Sequence, residues 1–309
     1  MRPRVASLLP AATELVRALG ARPQLVGISH ACGRGPELAG IPVLTASRVP
    51  DGGAGGVDAD VRRLAQAGED LYAVDVEALR RAEPDVILAQ ELCRVCAVSA
   101  ATAARALRGA GLHGSVVVLR GDSLESVGAD AMRVGAAIGR AREGRAVARA
   151  FAASLRASAA RAAGRPRPRV ASLEWLDPPY AAGHWVPEMI RLAGGEEVLG
   201  AADRASRRTT WSEVEAAAPD VLAILPCGFD VPRARADWEA ARRVLAAARS
   251  PLSALPAVLL DAARLASRPA PALARGVEVL GALLHPGAGF PPPGSDEGLR
   301  LRPDTAAGR

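Results

Sequence analysis

The sequence of 309 residues predicts an α/β protein of two similar lobes with parallel sheets, joined by a long connecting α-helix. One observation behind this prediction is an internal repeat, because the residues RVASL at 4–8 occur again at 169–173. Further along each half, PDV at 84–86 occurs again at 219–221. The same order of strand, helix and second strand in both halves indicates one α/β unit present twice.

The other observation is a regular alternation of short apolar runs with amphipathic segments. The apolar runs indicate buried parallel strands, and the amphipathic segments indicate helices that cover them. In the first half the predicted strands are 5–9, 25–28, 86–89 and 116–119, and the predicted helices are 12–19 and 100–107. In the second half the predicted strands are 170–173, 221–225 and 258–260, and the predicted helices are 186–192, 234–247 and 272–284.

Between the two halves, residues 124–163 contain no proline and end in an alanine- and arginine-rich segment. An apolar stripe runs through Val147, Phe151, Leu155 and Ala159, which predicts a helix of about 28 Å over 145–163. The predicted domains are therefore an N-terminal lobe at 1–123, a helical connector at 124–165 and a C-terminal lobe at 166–285. The proline- and glycine-rich segment 286–309 is predicted to be a disordered tail.

Composition excludes several classes of protein. The net charge is +6, but all 39 basic residues are arginines spread along the chain, so we expect no nucleic-acid partner. No run of 18 residues lacks charge, so we expect no insertion into a membrane. We also expect the protein to be a monomer. The opening residues show no signal peptide or lipobox cysteine, which predicts a cytoplasmic protein as written, or an extracytoplasmic one if the start site is mis-assigned.

Ligands of parallel α/β sheets bind outside the carboxyl ends of the strands, so the loops after each predicted strand should form the site. These loops carry four of the nine aromatic residues, and wide aromatic faces suit a broad, mostly apolar or planar ligand. They also carry all four cysteines, which in a reducing compartment would be thiols or metal ligands. The residues concerned are Trp175, Tyr180, Trp185, Phe229, Cys32, Cys93, Cys96 and Cys227.

Four stretches carry a family resemblance: RVASLLPAATE at 4–14, ELCRVCAVS at 91–99, PPYAAGHW at 178–185 and SRPAP at 267–271. The first is similar to the opening strand and turn of class III periplasmic-type substrate-binding proteins, the group for cobalamin, siderophores and haem. The other three resemble the cobalamin-binding branch, the binding component of vitamin B12 ABC transporters. The resemblance extends over about residues 4–285.

The resemblance implies two Rossmann-like lobes and a corrinoid such as cobalamin held in the cleft between them without catalysis. No cofactor is then required, and cobalamin is the ligand. By position, Tyr180 and Asp261 resemble residues that contact the corrin. The expected ligand-binding residues are Pro10, Ala11, Gln90, Cys93, Cys96, Trp175, Tyr180, His184, Trp185, Phe229 and Asp261.

An ABC permease partner is also implied, because each lobe of the family presents a glutamate to the permease. Glu77 lies at the matching position of the first lobe, whereas Ser212 occupies it in the second and Glu213 is one residue away. The cysteine pair is a further departure, since the best-known transporter members lack it.

Two alternatives remain open from the sequence. Cys32, Cys93, Cys96 and Cys227 could hold zinc, iron or an iron–sulfur unit, because Cys93 and Cys96 form a Cys-x-x-Cys motif at a predicted helix start. His184 and His30 are further candidates for cobalt or metal ligation. A siderophore or haem binder is the other alternative. No Ser-His-Asp arrangement or nucleotide-binding motif is present, so we expect no enzymatic activity.

Overall fold

The computed structural model describes residues 2–33, 35–49, 60, 63–64, 71–90, 98–202 and 204–302. The chain divides into two compact units, an N-terminal unit of residues 1–150 and a C-terminal unit of residues 151–309. The division falls within one helix, inside the connector that the sequence predicts. None of the described helices is both long enough and apolar enough to cross a lipid bilayer.

The N-terminal unit contains a four-stranded parallel sheet with the order β2-β1-β5-β6. A separate antiparallel pair is formed by β3 and β4. The strands are β1 (Val5–Ser7), β2 (Leu25–Gly27), β3 (Thr45–Ser47), β4 (Tyr72–Val74), β5 (Val86–Gln90) and β6 (Ser115–Leu119). The helices are α1 (Pro10–Ala18), α2 (Val76–Ala82), α3 (Ala100–Ala110) and α4 (Leu124–Ala137).

The central strands β1 and β5 are buried along their whole length, which is why their sequences are continuous apolar runs without alternation. Helix α3 begins where the Ser99 side chain accepts the Thr102 backbone N–H at 3.1 Å. It ends at Gly111, whose φ of 70° is the left-handed conformation that glycine adopts at low cost.

The strands and helices predicted for this half are all present in the structure, with ends shifted by up to three residues.

Helix α5 (Ala141–Ala162) follows α4 and contains the boundary between the two units. Its 22 residues span about 33 Å. Two glycines let the end of α4 pack closely against the start of α5. A Cβ atom on Gly135 would lie 2.8 Å from the Arg140 carbonyl oxygen, and one on Gly144 would lie 2.6 Å from the Ala131 carbonyl oxygen. Any larger residue would push the two helices apart.

The C-terminal unit contains a mixed sheet with the order β10-β8-β7-β11-β12-β13, and β9 also pairs with β7. Strands β7, β11 and β12 are parallel, whereas β8, β10 and β13 are antiparallel to their neighbours. The strands are β7 (Arg169–Leu176), β8 (Pro179–Ala181), β9 (Glu196–Glu197), β10 (Arg207–Arg208), β11 (Val221–Ile224), β12 (Ala257–Leu260) and β13 (Gly298–Leu301). The helices are α6 (Val186–Leu192), α7 (Trp211–Ala216), α8 (Val231–Ala247), α9 (Ala262–Leu265) and α10 (Leu273–Leu284).

The sequence repeat corresponds to one hydrogen-bonding arrangement present in both units. The backbone N–H of Arg4 donates to the Asp85 carboxylate at 2.7 Å, and that of Arg169 donates to the Asp220 carboxylate at 2.8 Å. Each guanidinium also donates at 2.8 Å to a carbonyl at the end of the helix preceding Asp, Ala82 in one unit and Ala217 in the other. We call this arrangement the Arg–Asp lock.

The prediction of a disordered tail at 286–309 is wrong for residues 286–302. Strand β13 pairs antiparallel with β12, and the Phe290 ring fills the space over Gly281 where a side chain would otherwise lie. Arg275 donates to the Glu297 carboxylate at 2.7 and 3.0 Å and to the Pro292 carbonyl at 2.8 Å. These long-range contacts order a segment whose composition alone is typical of a linker.

Replacing Glu297 tests how this segment is held. Arg275 hydrogen bonding lowers the pKa of Glu297 to about 2, so its stabilisation is complete above pH 4.5 and is lost as pH falls toward 2. We expect Glu297→Gln to lower the free energy of unfolding by about 1 kcal/mol at pH 7 and by less at pH 3, measured by urea denaturation. Glu239→Gln, which breaks an exposed pair with Arg235, is the control with little effect. An equal loss at both pH values would contradict this account.

Candidate functional site

The carboxyl ends of the parallel strands in the N-terminal unit bring several predicted residues to one edge of the sheet. Pro10 and Ala11 begin α1 after β1, Cys32 lies in the turn after β2, and Gln90 ends β5. The Thr13 hydroxyl donates to Ser7 Oγ at 2.8 Å and contacts Cys32 Sγ at 3.1 Å. This contact holds the turn after β2 against the start of α1.

The structure describes only two of the four cysteines of the predicted metal site. Cys93 and Cys96 lie outside the described residues, so the structure does not test them. Cys32 is half-buried in the N-terminal unit, and Cys227 is exposed in the C-terminal unit. Within the described ranges, no three His, Cys, Asp or Glu side chains come together in a group that could hold a metal ion. A cysteine metal site therefore stays a prediction.

Two half-buried aromatic residues face each other on the hairpin of the C-terminal sheet. Trp175 on β7 lies opposite Tyr180 on β8, so both side chains point to the same face. The Trp175 indole N–H donates to the Asp177 carbonyl at 3.1 Å, and its ring packs edge-on against Phe229 at 5.4 Å. We call Trp175 and Tyr180 the aromatic pair.

Phe229 supports this pair from the core. It is only 4% exposed, and the Arg233 guanidinium carbon lies 3.7 Å from the centre of its ring. Cation–π contact and burial together fix the Phe229 ring. Phe229 therefore contributes by holding Trp175 in place, and direct ligand contact by Phe229 stays a prediction.

Trp185 is also buried, with 6% of its surface exposed. Its indole N–H donates to the Ala266 carbonyl at 2.7 Å, and its ring stacks on His184 at 5.7 Å. The His184 backbone N–H donates to the Arg204 carbonyl at 2.6 Å. The two residues anchor the loop after β8, and their ligand roles stay predictions.

Asp261 is 3% exposed at the carboxyl end of β12. Its carboxylate caps α9 by accepting the Arg264 backbone N–H at 3.1 Å and also pairs with the Arg264 guanidinium. The structure thus gives Asp261 a capping role, and its contact with a corrin stays a prediction.

Sequence reasoning missed Glu174, a carboxyl group next to the aromatic pair. It accepts hydrogen bonds from the Ser206 hydroxyl and from the Gly183 backbone N–H at 3.4 Å. Burial raises the pKa of Glu174 to about 8, although the Ser206 hydrogen bond opposes this shift. Burial also raises the pKa of Glu197, which is bonded to Ser172. An acidic residue directly after a predicted buried strand, as Glu174 is after 170–173, was the available signal.

A depression of about 480 Å³ borders the same hairpin. It contains Glu213, one of the predicted docking glutamates, whose carboxylate accepts from Arg207 at 2.8 Å and from the Thr209 hydroxyl at 2.6 Å. The other predicted docking glutamate, Glu77, is exposed in the first turn of α2 and forms an ion pair with Arg80. The residues lining the depression are Pro178, Pro179, Arg208, Thr209, Thr210, Trp211 and Glu213.

Comparison with known families gives a match to "Periplasmic binding protein" over residues 5–250. This match covers more than half of the chain, and the protein therefore belongs to the periplasmic binding protein family. A search of curated proteins found no significant match.

Solved structures with the same fold include a vitamin B12 binding protein and heme-binding proteins. The periplasmic vitamin B12 binding protein BtuF of Vibrio cholerae is 18% identical with a TM-score of 0.63, covering 91% of this chain and 96% of its own. A periplasmic heme binding protein from Pseudomonas aeruginosa is 18% identical with a TM-score of 0.68, covering 93% and 94%. The periplasmic heme-binding protein RhuT from Roseiflexus sp. RS-1 is 22% identical with a TM-score of 0.65, covering 90% and 95%.

At these identities the likeness establishes the fold. The predicted class III substrate-binding protein fold is confirmed, including its pair of α/β units. The antiparallel strands β8, β10 and β13 are additions that the predicted parallel sheets lacked.

Glu174→Gln tests the buried carboxyl. The pKa of Glu174 is raised from 4.5 to about 8 because the folded protein favours the protonated carboxyl. The contribution of this group to the free energy of unfolding is therefore full below pH 4.5 and is lost as pH rises through 8. The variant keeps an uncharged group there, so we expect it to gain about 1–3 kcal/mol relative to wild type between pH 5 and 9, measured by urea denaturation. Glu239→Gln should follow the wild type at every pH. A stability difference between Glu174→Gln and wild type that does not change with pH would contradict the shifted pKa.

Proposed function

We propose that this protein binds a corrinoid such as cobalamin, without catalysis, as the substrate-binding component of an ABC importer. The observation that carries the proposal is the aromatic pair, because Trp175 and Tyr180 lie side by side and are only half-buried. The resemblance of 91–99, 178–185 and 267–271 to the cobalamin-binding branch supports the same ligand.

The chemistry of the hairpin suits such a ligand. A corrin is broad and mostly apolar, and each aromatic side chain can remove a large apolar area from water on binding. Since the pKa of Glu174 is raised to about 8, its carboxyl is largely uncharged at pH 7. Glu174 therefore adds little negative charge beside the aromatic pair, where a buried charge would disfavour contact with an apolar ring.

Residues of the N-terminal unit complete the proposed ligand set. Pro10, Ala11 and Gln90 lie at the carboxyl edge of its sheet, where α/β proteins bind ligands. Gln90 is 5% exposed, so we propose that it supports the end of β5. Cys93 and Cys96 lie outside the described residues and stay in the proposed set.

Haem is the competing ligand, because a porphyrin is also flat and apolar and several of the structural neighbours are heme-binding proteins. We favour the corrinoid because three sequence stretches resemble the cobalamin-binding branch. Parallel titrations with haem and cobalamin separate the two.

Removing the aromatic pair tests the proposed function. We expect Trp175→Ala and Tyr180→Ala each to weaken cobalamin binding at least tenfold, about 1.4 kcal/mol or more, because ring contact is lost. Binding is measured by isothermal titration calorimetry and by the visible spectrum of cobalamin. Trp175→Phe and Tyr180→Phe keep a ring and should retain most of the affinity.

Unaltered affinity in both alanine variants would overturn the role of the pair. Tight haem binding without cobalamin binding would overturn the choice of ligand. Circular dichroism of each variant separates loss of binding from loss of folding.

We further propose that the protein works outside the cytoplasm, with an ABC permease as its partner. The family description and the periplasmic relatives support this location over the cytoplasmic one expected from the opening residues. Glu77 and Glu213 support docking, since each is exposed in the first turn of a helix that precedes a repeated Pro-Asp.

Glu77→Ala combined with Glu213→Ala tests the docking role. We expect cobalamin uptake by cells to fall at least fivefold, because charge complementarity to the permease is lost, while cobalamin affinity of the purified protein stays unchanged. Uptake is measured with labelled cobalamin, and fractionation of the same cells should place the protein outside the cytoplasm.

Glu188→Ala is the matched control, because Glu188 pairs with Arg191 three residues away just as Glu77 pairs with Arg80. The control should transport normally. Equal uptake by the double variant and wild type would rule out docking through these glutamates.

A further inference from the structure

His30 lies in the single turn that follows β2, at the carboxyl edge of the N-terminal sheet. Its side chain is exposed, in contrast to the two hydroxyl groups behind it. Thr45 is 5% exposed and Ser29 is 4% exposed. A solvent-facing imidazole is thus held against a buried polar base.

The hydrogen bonds of this base determine which ring nitrogen carries the proton. Thr45 Oγ1 donates its single proton to Ser29 Oγ at 3.1 Å and accepts the His30 backbone N–H at 3.0 Å. His30 Nδ1 lies 2.7 Å from the same Thr45 oxygen. Because the Thr45 proton is already used, Nδ1 must be the donor of this third bond. The neutral ring then carries its lone pair on Nε2, the nitrogen that points away from the base.

The surroundings of His30 also favour the neutral ring. Burial of part of the imidazole lowers its pKa, so the lone pair is available at pH 7. The Tyr72 ring packs 5.5 Å from the His30 ring and restricts its rotation. Burial is the cause of the pKa shift of His30, and the described groups recorded against its ring are the Thr45 hydroxyl and the Tyr72 ring, both uncharged.

A histidine whose Nδ1–H is held by a buried acceptor, and whose side chain is exposed, has the arrangement that proteins use for metal ligation. We propose that His30 Nε2 is an axial ligand to the cobalt of the bound corrinoid, with Thr45 as the residue that positions it. This inference rests on the proposed function. His184, the histidine favoured by sequence reasoning, instead stacks on buried Trp185.

The step is a ligand exchange at cobalt(III). In aquocobalamin, His30 Nε2 donates its lone pair to cobalt, the cobalt–water bond breaks and the water molecule leaves. No electron is transferred, and Nδ1 keeps its proton. Cyanocobalamin carries a strongly held cyanide in that position, so it can bind to the protein without this exchange.

The two corrinoids therefore provide the test. We expect His30→Ala to weaken aquocobalamin binding at least tenfold, to remove the change in the visible spectrum that accompanies binding, and to leave cyanocobalamin affinity within twofold. Thr45→Val should weaken aquocobalamin about tenfold by releasing the ring, again without affecting cyanocobalamin. Retained cyanocobalamin binding shows that each variant is folded.

His113→Ala is the matched control, because His113 is an exposed histidine of the same unit. Its variant should bind both corrinoids like wild type. The ligation is overturned if His30→Ala leaves aquocobalamin binding intact, if it weakens both corrinoids equally, or if His113→Ala or His184→Ala produces the selective loss. If the wild type binds neither corrinoid, the proposed function and the ligation are both overturned.

Discussion

The Arg–Asp lock is the constraint on which the rest of the structure depends. In each unit it ties the start of the first strand to the start of the next central strand and to the end of the helix between them. The guanidinium satisfies carbonyl groups that a helix end leaves without partners, and its charge complements the helix dipole. Because the strand starts are fixed in register and the strands are parallel, their carboxyl ends lie at the same edge of the sheet, and the candidate site residues follow those ends.

The sequence predicts the central strands and their covering helices because burial on both faces leaves continuous apolar runs such as 86–89 and 221–225. The antiparallel strands β10 and β13, at the edges of the C-terminal sheet, were missed because they lack such runs. Strand β13 has only four residues, and its order comes from Arg275 and Phe290 contacts with other parts of the chain. Local composition gives no information about such contacts, so the tail was predicted to be disordered.

For the candidate site, the sequence predicts which loops follow the strands but does not give the exposure of each side chain. Trp175 and Tyr180 are half-buried, whereas Trp185 and Asp261 are used for an indole–carbonyl bond and a helix cap. The difference depends on partners such as Ala266 and Arg264 that become neighbours only in the folded chain. Glu174 was overlooked since its significance comes from burial beside Ser206. The orientation of His30 likewise depends on Thr45, fifteen residues away.

The positions of β12 and β13 in the sheet determine what a late truncation of the chain would expose. The family match ends at residue 250, yet β12 lies directly beside β11 in the sheet, and β13 covers the other side of β12. A nonsense mutation shortly after codon 250 would therefore leave β11, a fully buried apolar strand, as an open edge that can pair with other chains. Late truncations of this gene should be selected against through aggregation of the product, even though the sequence they remove lies beyond the recognisable family region.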